Sequence, residues 1–381
     1  MDWVVFGDDW GAHVSTTQHL VRNLPESDSV VWVNSLGMRA PRLAYEDLVR
    51  LKSKATAILR SSSGGAERTR ASAGSARANM AIVNPKIVPW HLSPVARRYN
   101  ARAIAKEVTR AMEQLEIVDP FVLSATPVCV DYLDFHARAV AYLKLDEYRE
   151  MSEVDASLID ATEPRMVKRV DLVLATAKTL LPDCGADTSK CVYLPHGVDF
   201  EHFAQVSTHG QGTKTVGFYG LIDDRLDYDL VEAVALLATD WTFEFIGALR
   251  VPEHRVFNLP NVKLAGSVPY AELPYRIEHW TAAWIPYELN KHTQAINPLK
   301  LREYLAAGLP VLSTPLPESS ALEDVSIITN CHEARDAIEE FHRSDTPSRR
   351  EARREKMKKH SWGHRANRLR RLLSDKGTAP P

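Results

Sequence analysis

The chain is built from short, β-rich apolar runs separated by helical patterns, and the runs lack clean alternation. Val4-Val5-Phe6, Val30-Val31-Trp32-Val33, Phe121-Val122-Leu123, Val140-Ala141-Tyr142-Leu143 and Asp171-Leu172-Val173-Leu174-Ala175 are of this kind. A strand with one wet face alternates apolar and polar residues, whereas a strand covered on both faces does not. Helical stretches lie between them, from Thr16 to Leu24, from Val95 to Leu115, and a third ending near Val170. Such strand–helix alternation implies a parallel sheet with helices on both sides, an α/β doubly wound domain.

The alternation then restarts. Thr215 to Gly220, Trp241 to Gly247 and Asn261 to Gly266 read as strands ending in glycine, followed by Ala282 to Pro286 and Pro310 to Thr314. Glycine at that end lets a ligand approach the backbone, on the side where parallel sheets bind ligands. With 381 residues, about 2.5 average domains, the chain accommodates two Rossmann-like halves joined near Leu194 to Phe203. The expected division is 1–195 and 196–345, with a helix at about 361–374 packing back on the first half.

Charge and cysteine usage exclude several classes. The 47 Lys+Arg and 49 Asp+Glu leave a net charge of −2, which disfavours a nucleic-acid partner. Four scattered cysteines supply neither a disulfide framework nor the paired spacing of a zinc site. They read as reduced thiols in a cytoplasmic protein. No run reaches the roughly 18 apolar residues of a membrane span, and the N-terminus is too short and acidic for a signal peptide. Residues 50–79 stand apart, with seven Lys/Arg against Glu67 and a Ser61-Ser62-Ser63-Gly64-Gly65 centre. This segment reads as a solvated loop or as a contact for an anionic membrane surface or acceptor. The basic tract from Arg349 to Arg371 reads as a charged helix face.

The segment Asn297 to Pro310, NPLKLREYLAAGLP, carries the most chemistry. Asn297 suits an N-cap, Pro298 the first helical position and Gly308 the C-terminal cap, so a helix of about three turns is expected. Leu301 and Leu305 face a core, while Lys300 and Glu303 share another face. Free N–H groups and a lysine at a helix N-terminus favour an anion, and a carboxylate one turn later can accept from two ribose hydroxyls. A nucleoside diphosphate satisfies all three features. A surface Lys–Glu pair is the plain alternative.

With these motifs in order, the chain resembles the GT-B glycosyltransferases of the group-1 type, which use nucleotide sugars. The resemblance is clearest from about Asp171 to Glu318. Leu194-Pro195-His196-Gly197-Val198-Asp199 through Phe203 is similar to the family's inter-domain "PNGVD…F" segment. Val216 to Gly220 followed by Asp223-Asp224-Arg225 resembles the loop whose basic residue meets the donor phosphates. Gly266-Ser267-Val268-Pro269-Tyr270 resembles the element beside the nucleobase. Asn297 to Pro310 resembles "P-x-K-x-x-E-Y-L-A-x-G-x-P-V". The resemblance implies two Rossmann-like domains facing across a cleft, and donor contacts from Gly220, Arg225, Gly247, Val268, Asn297, Pro298, Lys300 and Glu303.

One departure stands out. Retaining members often carry two glutamates with seven residues between them; Glu303 matches the second, and the first falls on Ala295. Near the N-terminus, Gly7-Asp8-Asp9-Trp10-Gly11-Ala12-His13 resembles the acceptor-side loop, so Asp9, Trp10, His13 and, after a later strand, Asp146 are acceptor-side candidates. Asp9, His13 and Lys300 are the catalytic candidates.

The expected reaction moves a sugar from a nucleoside diphosphate of UDP or GDP type to a hydroxyl acceptor, a glycan, a lipid-linked glycan or a small molecule. Arg225, Lys300 and the helix N-terminus would stabilise the departing phosphate, with retention of configuration and no metal or other cofactor. An inverting enzyme would need Asp9 or His13 as base. Three other readings share the pattern: a nucleotide-sugar epimerase, a catalytically silent GT-B partner subunit, and a dinucleotide oxidoreductase, which lacks its GxGxxG here.

Overall fold

The computed structural model describes residues 1–12, 14–39, 77–181, 190–205, 213–252 and 254–377. The chain divides into two compact units. Unit 1 comprises Met1–Leu174, Cys184–Val192 and Arg370–Pro381; unit 2 comprises Ala175–Asp183 and Tyr193–Leu369.

Unit 1 is organised by a seven-stranded sheet. Its strands are β1 (Asp2–Phe6), β2 (Ser29–Val33), β3 (Met80–Val83), β4 (Phe121–Ser124), β5 (Ala139–Lys144), β6 (Leu172–Ala175) and β7 (Cys191–Tyr193), in the order β3-β2-β1-β4-β5-β6-β7. The β1–β2, β2–β3, β1–β4 and β4–β5 pairs are parallel, and Val4 lies opposite both Val31 and Val122. Every residue of β1 after Asp2 is fully buried, as expected of a central strand covered on both faces. The helices are α1 (Thr16–Arg22), α2 (Pro94–Gln114) and α3 (Ala156–Arg169), capped by Ser15, Ser93 and Asp155.

Unit 2 repeats the plan with β8 (Thr215–Tyr219), β9 (Thr242–Ile246), β10 (Val262–Gly266), β11 (Ala282–Ile285), β12 (Val311–Ser313) and β13 (Val325–Ile327). The order is β10-β9-β8-β11-β12-β13, all parallel. Strand order reverses between β8 and β11, and doubly wound sheets bind ligands beyond the strand ends at that point. Its helices are α4 (Phe200–Ala204), α5 (Tyr228–Leu237), α6 (Leu273–Ile277), α7 (Lys291–Ala295), α8 (Leu299–Ala306), α9 (Pro317–Ser320), α10 (Cys331–Ser344) and α11 (Pro347–Lys358); α12 (Trp362–Gly377) closes the chain. One core joins both sheet faces, with Trp241, Trp280, Trp284, Tyr287 and Tyr304 almost fully buried.

The basic C-terminal tract departs from expectation. Arg350, Arg353 and Arg365 are buried rather than solvated. Asp345 accepts from Arg350 Nε at 2.7 Å and also pairs with Arg353. Arg353 and Arg354 donate to the carbonyls of Gly308 and Ala307 at 2.9 and 3.0 Å. The orphan carbonyls at the end of α8 thus draw these guanidinium groups inward.

Candidate functional site

The site is built at the strand ends of unit 2. Gly220, Gly247 and Gly266 follow β8, β9 or close β10, and all have positive φ. They stack: Gly220 N–H donates to Ile246 O, and Gly247 N–H to Gly266 O at 2.8 Å. A Cβ on Gly247 would sit 1.8 Å from the Gly220 carbonyl oxygen, and one on Gly220 would sit 2.7 Å from Lys300 Nζ. Only glycine leaves room for these approaches.

Lys300, in the first turn of α8, is half-buried. Its Nζ donates to Tyr287 OH at 2.8 Å and lies 4.5 Å from the centre of the Phe218 ring. Arg225 also reaches the Tyr287 ring, at 5.6 Å, so both cations meet on one aromatic side chain. Main-chain bonds hold the two loops together: Asp227 N–H donates to Pro286 O, and Glu288 N–H to Arg225 O, each at 2.8 Å. The Arg225 guanidinium is engaged by Asp223, with Nε–Oδ1 at 2.8 Å and Nη2–Oδ2 at 2.6 Å.

Glu303 lies one turn after Lys300 and is only 4% exposed. Tyr219 OH donates to its Oε2 at 2.6 Å, while Tyr219 N–H is held by Tyr304 OH at 2.9 Å. Burial pushes the Glu303 carboxyl up to about 7, opposed by the Tyr219 hydrogen bond and Lys300 and reinforced by Asp199. The carboxylate therefore changes charge near neutral pH.

Asn297 plays a different part from the expected cap. The helix runs over Leu299–Ala306, about two turns, with Pro298 as its cap residue and no side-chain capping bond. Asn297 is buried and needs internal partners. Its Nδ2 donates to Thr176 O at 2.7 Å and to Glu318 Oε2 at 3.2 Å, and its Oδ1 accepts from Arg302 Nη1 at 2.6 Å. Glu318 also accepts from Tyr193 OH at 2.6 Å and from Lys178 N–H at 2.7 Å. This buried network pins the chain just ahead of Lys300. The far end of α8 closes as a Schellman turn: Gly308 N–H bonds Leu305 O, Leu309 N–H bonds Tyr304 O, and Gly308 takes φ of +86°.

Val268 packs, half-buried, on the unit 2 core. Ala295 is 7% exposed and packs with Ala175, Ala177 and Leu180. In unit 1, the exposed Asp9 accepts from Ser35 N–H at 3.2 Å. Trp10 donates its N–H to Asn34 and packs edge-on against Trp32 at 4.8 Å, with Arg22 over its ring. Asp8, beside them, accepts from Ser15 and Gln18, each at 2.8 Å, and burial raises its pKa. Asp146 turns back to accept from Glu147 N–H. His13 and most of the basic 50–79 segment lie outside the described residues. Arg77 at its end is half-buried and caps α1, donating to Val21 O and Leu24 O at 2.8 and 2.9 Å.

Sequence reading missed Tyr287 and Tyr219, which bond Lys300 and Glu303, and Tyr304, which holds Tyr219 in place. Their signal was position, since Tyr219 abuts Gly220 and Tyr287 follows β11. It also missed Lys144, 1% exposed on β5 and paired with Glu147 and Glu163 at 3.4 and 3.2 Å. Among the described residues, no group of three His, Cys, Asp or Glu is placed to hold a metal ion. No helix there is long and apolar enough to cross a membrane.

Residues 227–371 match the glycosyl transferase-like family. Over 188 residues the chain is 30% identical to TuaH of Bacillus subtilis (strain 168), assigned as a teichuronic acid biosynthesis glycosyltransferase. That match covers 45% of this chain and 47% of TuaH, so the chain matches about half the length of this curated relative. The fold is that of HepE from Anabaena, solved in complex with UDP and glucose, with a TM-score of 0.64, 12% identity and coverage of 98% and 99%. It is equally that of sucrose-phosphate synthase from Thermosynechococcus elongatus, with a TM-score of 0.66, 12% identity and 98% coverage of each chain.

Proposed function

We infer that this chain, which belongs with the GT-B glycosyltransferases of the group-1 type, transfers a sugar from a nucleoside-diphosphate donor to a hydroxyl acceptor. The product belongs to a cell-surface polysaccharide or glycolipid, a reading supported by the likeness to TuaH. The donor is of UDP or GDP type. The observation that carries the reading is the pairing of Lys300 with Glu303 on α8, at the reversal point of the unit 2 sheet.

Lys300 and the first N–H groups of α8 hold the diphosphate over the Gly220 backbone and stabilise the negative charge of the departing phosphate. Arg225 joins them on exchanging Asp223 for the donor. Glu303, once ionised, accepts from the ribose hydroxyls, and Val268 borders the base. Asp9, Trp10, His13 and Asp146 serve the acceptor. Transfer proceeds with retention, the leaving phosphate taking the acceptor proton, and without a metal. The enzyme works inside the cell, with the basic 50–79 segment toward the inner face of the membrane.

Ala295, buried among alanines and leucine, offers no carboxylate to the sugar and supports a second reading, a catalytically silent GT-B partner subunit. The test is calorimetric titration with UDP and GDP, followed by turnover of their sugar conjugates. One nucleotide should bind, and Lys300→Ala should weaken it at least tenfold. Binding without turnover favours the silent subunit; absence of any nucleotide binding removes the donor site altogether.

A further inference from the structure

Thirteen large apolar side chains are exposed among the described residues, and four of them fall within ten positions of unit 1. Trp90, Leu92, Val95 and Tyr99 are 55%, 49%, 79% and 53% exposed. All four line one cavity of about 570 Å³, whose floor includes His91. His91 is itself satisfied, bonded to Tyr132 OH at 2.7 Å and Leu36 O at 3.0 Å, and burial lowers its pKa. Four large apolar side chains clustered on a water-facing surface mark a contact with something apolar.

Charge says what that something is. Helix α2 buries Ala96, Asn100, Ile104, Val108, Ala111 and Met112. At 100° per residue, Val95, Tyr99, Arg98, Arg102, Lys106 and Arg110 fall on the opposite face, and all six are exposed. The stripe therefore begins with a valine and a tyrosine beside Trp90 and Leu92, continues as four cations and ends on the exposed Glu113. The acidic groups nearby are Glu107, half-buried beside Lys86, Lys106 and Arg110; Glu113 at the far end of α2; and Asp155, on the cavity rim and engaged in capping α3. Aromatic and aliphatic side chains adjoining a row of Arg and Lys match the boundary between acyl chains and anionic headgroups.

We propose that this face of unit 1 docks on an anionic lipid bilayer, with Trp90, Leu92, Val95 and Tyr99 entering the headgroup–acyl boundary and Arg98, Arg102, Lys106 and Arg110 lying on the phosphates. The surface shares no residue with the basic 50–79 segment and does not depend on the donor-site reading.

Co-sedimentation of the full chain with vesicles of phosphatidylcholine containing one-third phosphatidylglycerol tests it, with pure phosphatidylcholine vesicles as the control. The protein should pellet only with the anionic vesicles. Arg98→Gln with Arg102→Gln should weaken partitioning by about thirtyfold, each cation contributing about fivefold. Trp90→Ser with Tyr99→Ser should weaken it comparably. Brominated acyl chains should quench tryptophan fluorescence in the native chain and not in Trp90→Phe. All the substituted side chains are solvent-facing, and unchanged melting temperatures confirm intact folding. The proposal is overturned if the native chain stays in the supernatant. It is also overturned if these variants pellet as the native chain does while Lys52→Gln with Lys54→Gln and Arg60→Gln does not. If the variants abolish a concentration-dependent dimer and no vesicle binding exists, the face is a protein interface instead.

Discussion

Replacing Glu303 by glutamine isolates the cost of burying its charge. The carboxyl titrates at about 7 in the folded chain against an ordinary 4.5, because burial disfavours the anion more than Tyr219 and Lys300 favour it. That rise corresponds to about 3 kcal/mol. Below pH 4.5 the group is protonated in folded and unfolded chains alike and costs nothing. As pH rises toward 7 the unfolded chain loses its proton first, and stability falls; above 7 the loss is complete. Glutamine keeps an acceptor for the Tyr219 hydroxyl and never ionises. Glu303→Gln should therefore match the native chain near pH 4.5 and melt higher at pH 8. Unit 2 is of a size where 1 kcal/mol moves a melting temperature by about 2–4 °C, so a gain of roughly 6–12 °C is expected. Calorimetric scans of both proteins from pH 4.5 to 8 provide the measurement. On the proposed donor reading the same variant should bind nucleotide more weakly at pH 8, since an amide would replace an anionic acceptor for the ribose. A glutamine variant that melts lower than the native chain at pH 8, or by a pH-independent margin, would refute the account of Glu303 as a strained, buried anion.

Two further substitutions probe the frame around it. Gly247→Ala places a methyl group 1.8 Å from the Gly220 oxygen at a φ of +150°, and should destabilise unit 2 by more than 3 kcal/mol, measured as a fall in denaturation midpoint. Asn297→Ala strips Arg302 and Glu318 of a shared buried partner; a loss of about 2–4 kcal/mol is expected by urea unfolding, with Asn297→Asp failing to restore it because a second carboxylate would face Glu318.

The central strands were legible because burial on both faces writes an unbroken apolar run. Val30 to Val33, Phe121 to Leu123 and Thr215 to Tyr219 all appear as strands in the structure. The strands that sequence reading did not name, β3, β7 and β13, are three or four residues long and half-exposed, so the burial on both faces that marks a central strand is missing from them. On the site side, Lys300 and Glu303 could be paired from helical spacing alone. Their tyrosine partners could not, because those come from β8 and the loop after β11, 84 and 13 residues away in sequence. Asn297 misled for a similar reason. Its local pattern fits a cap, but the demand that decides its role comes from Thr176 and Glu318, which only the folded chain brings near.

The two arginines that reach back from α11 to the carbonyls of Gly308 and Ala307 bear on how this protein can be dissected. A unit 2 fragment stopped at residue 345, just after the last strand and α10, would keep every strand of the second sheet yet lose the side chains that close the terminus of α8. The helix bearing Lys300 would then fray from behind. An isolated unit 2 fragment has to extend at least through Lys358, although nothing beyond Ser344 belongs to the sheet or its connecting helices.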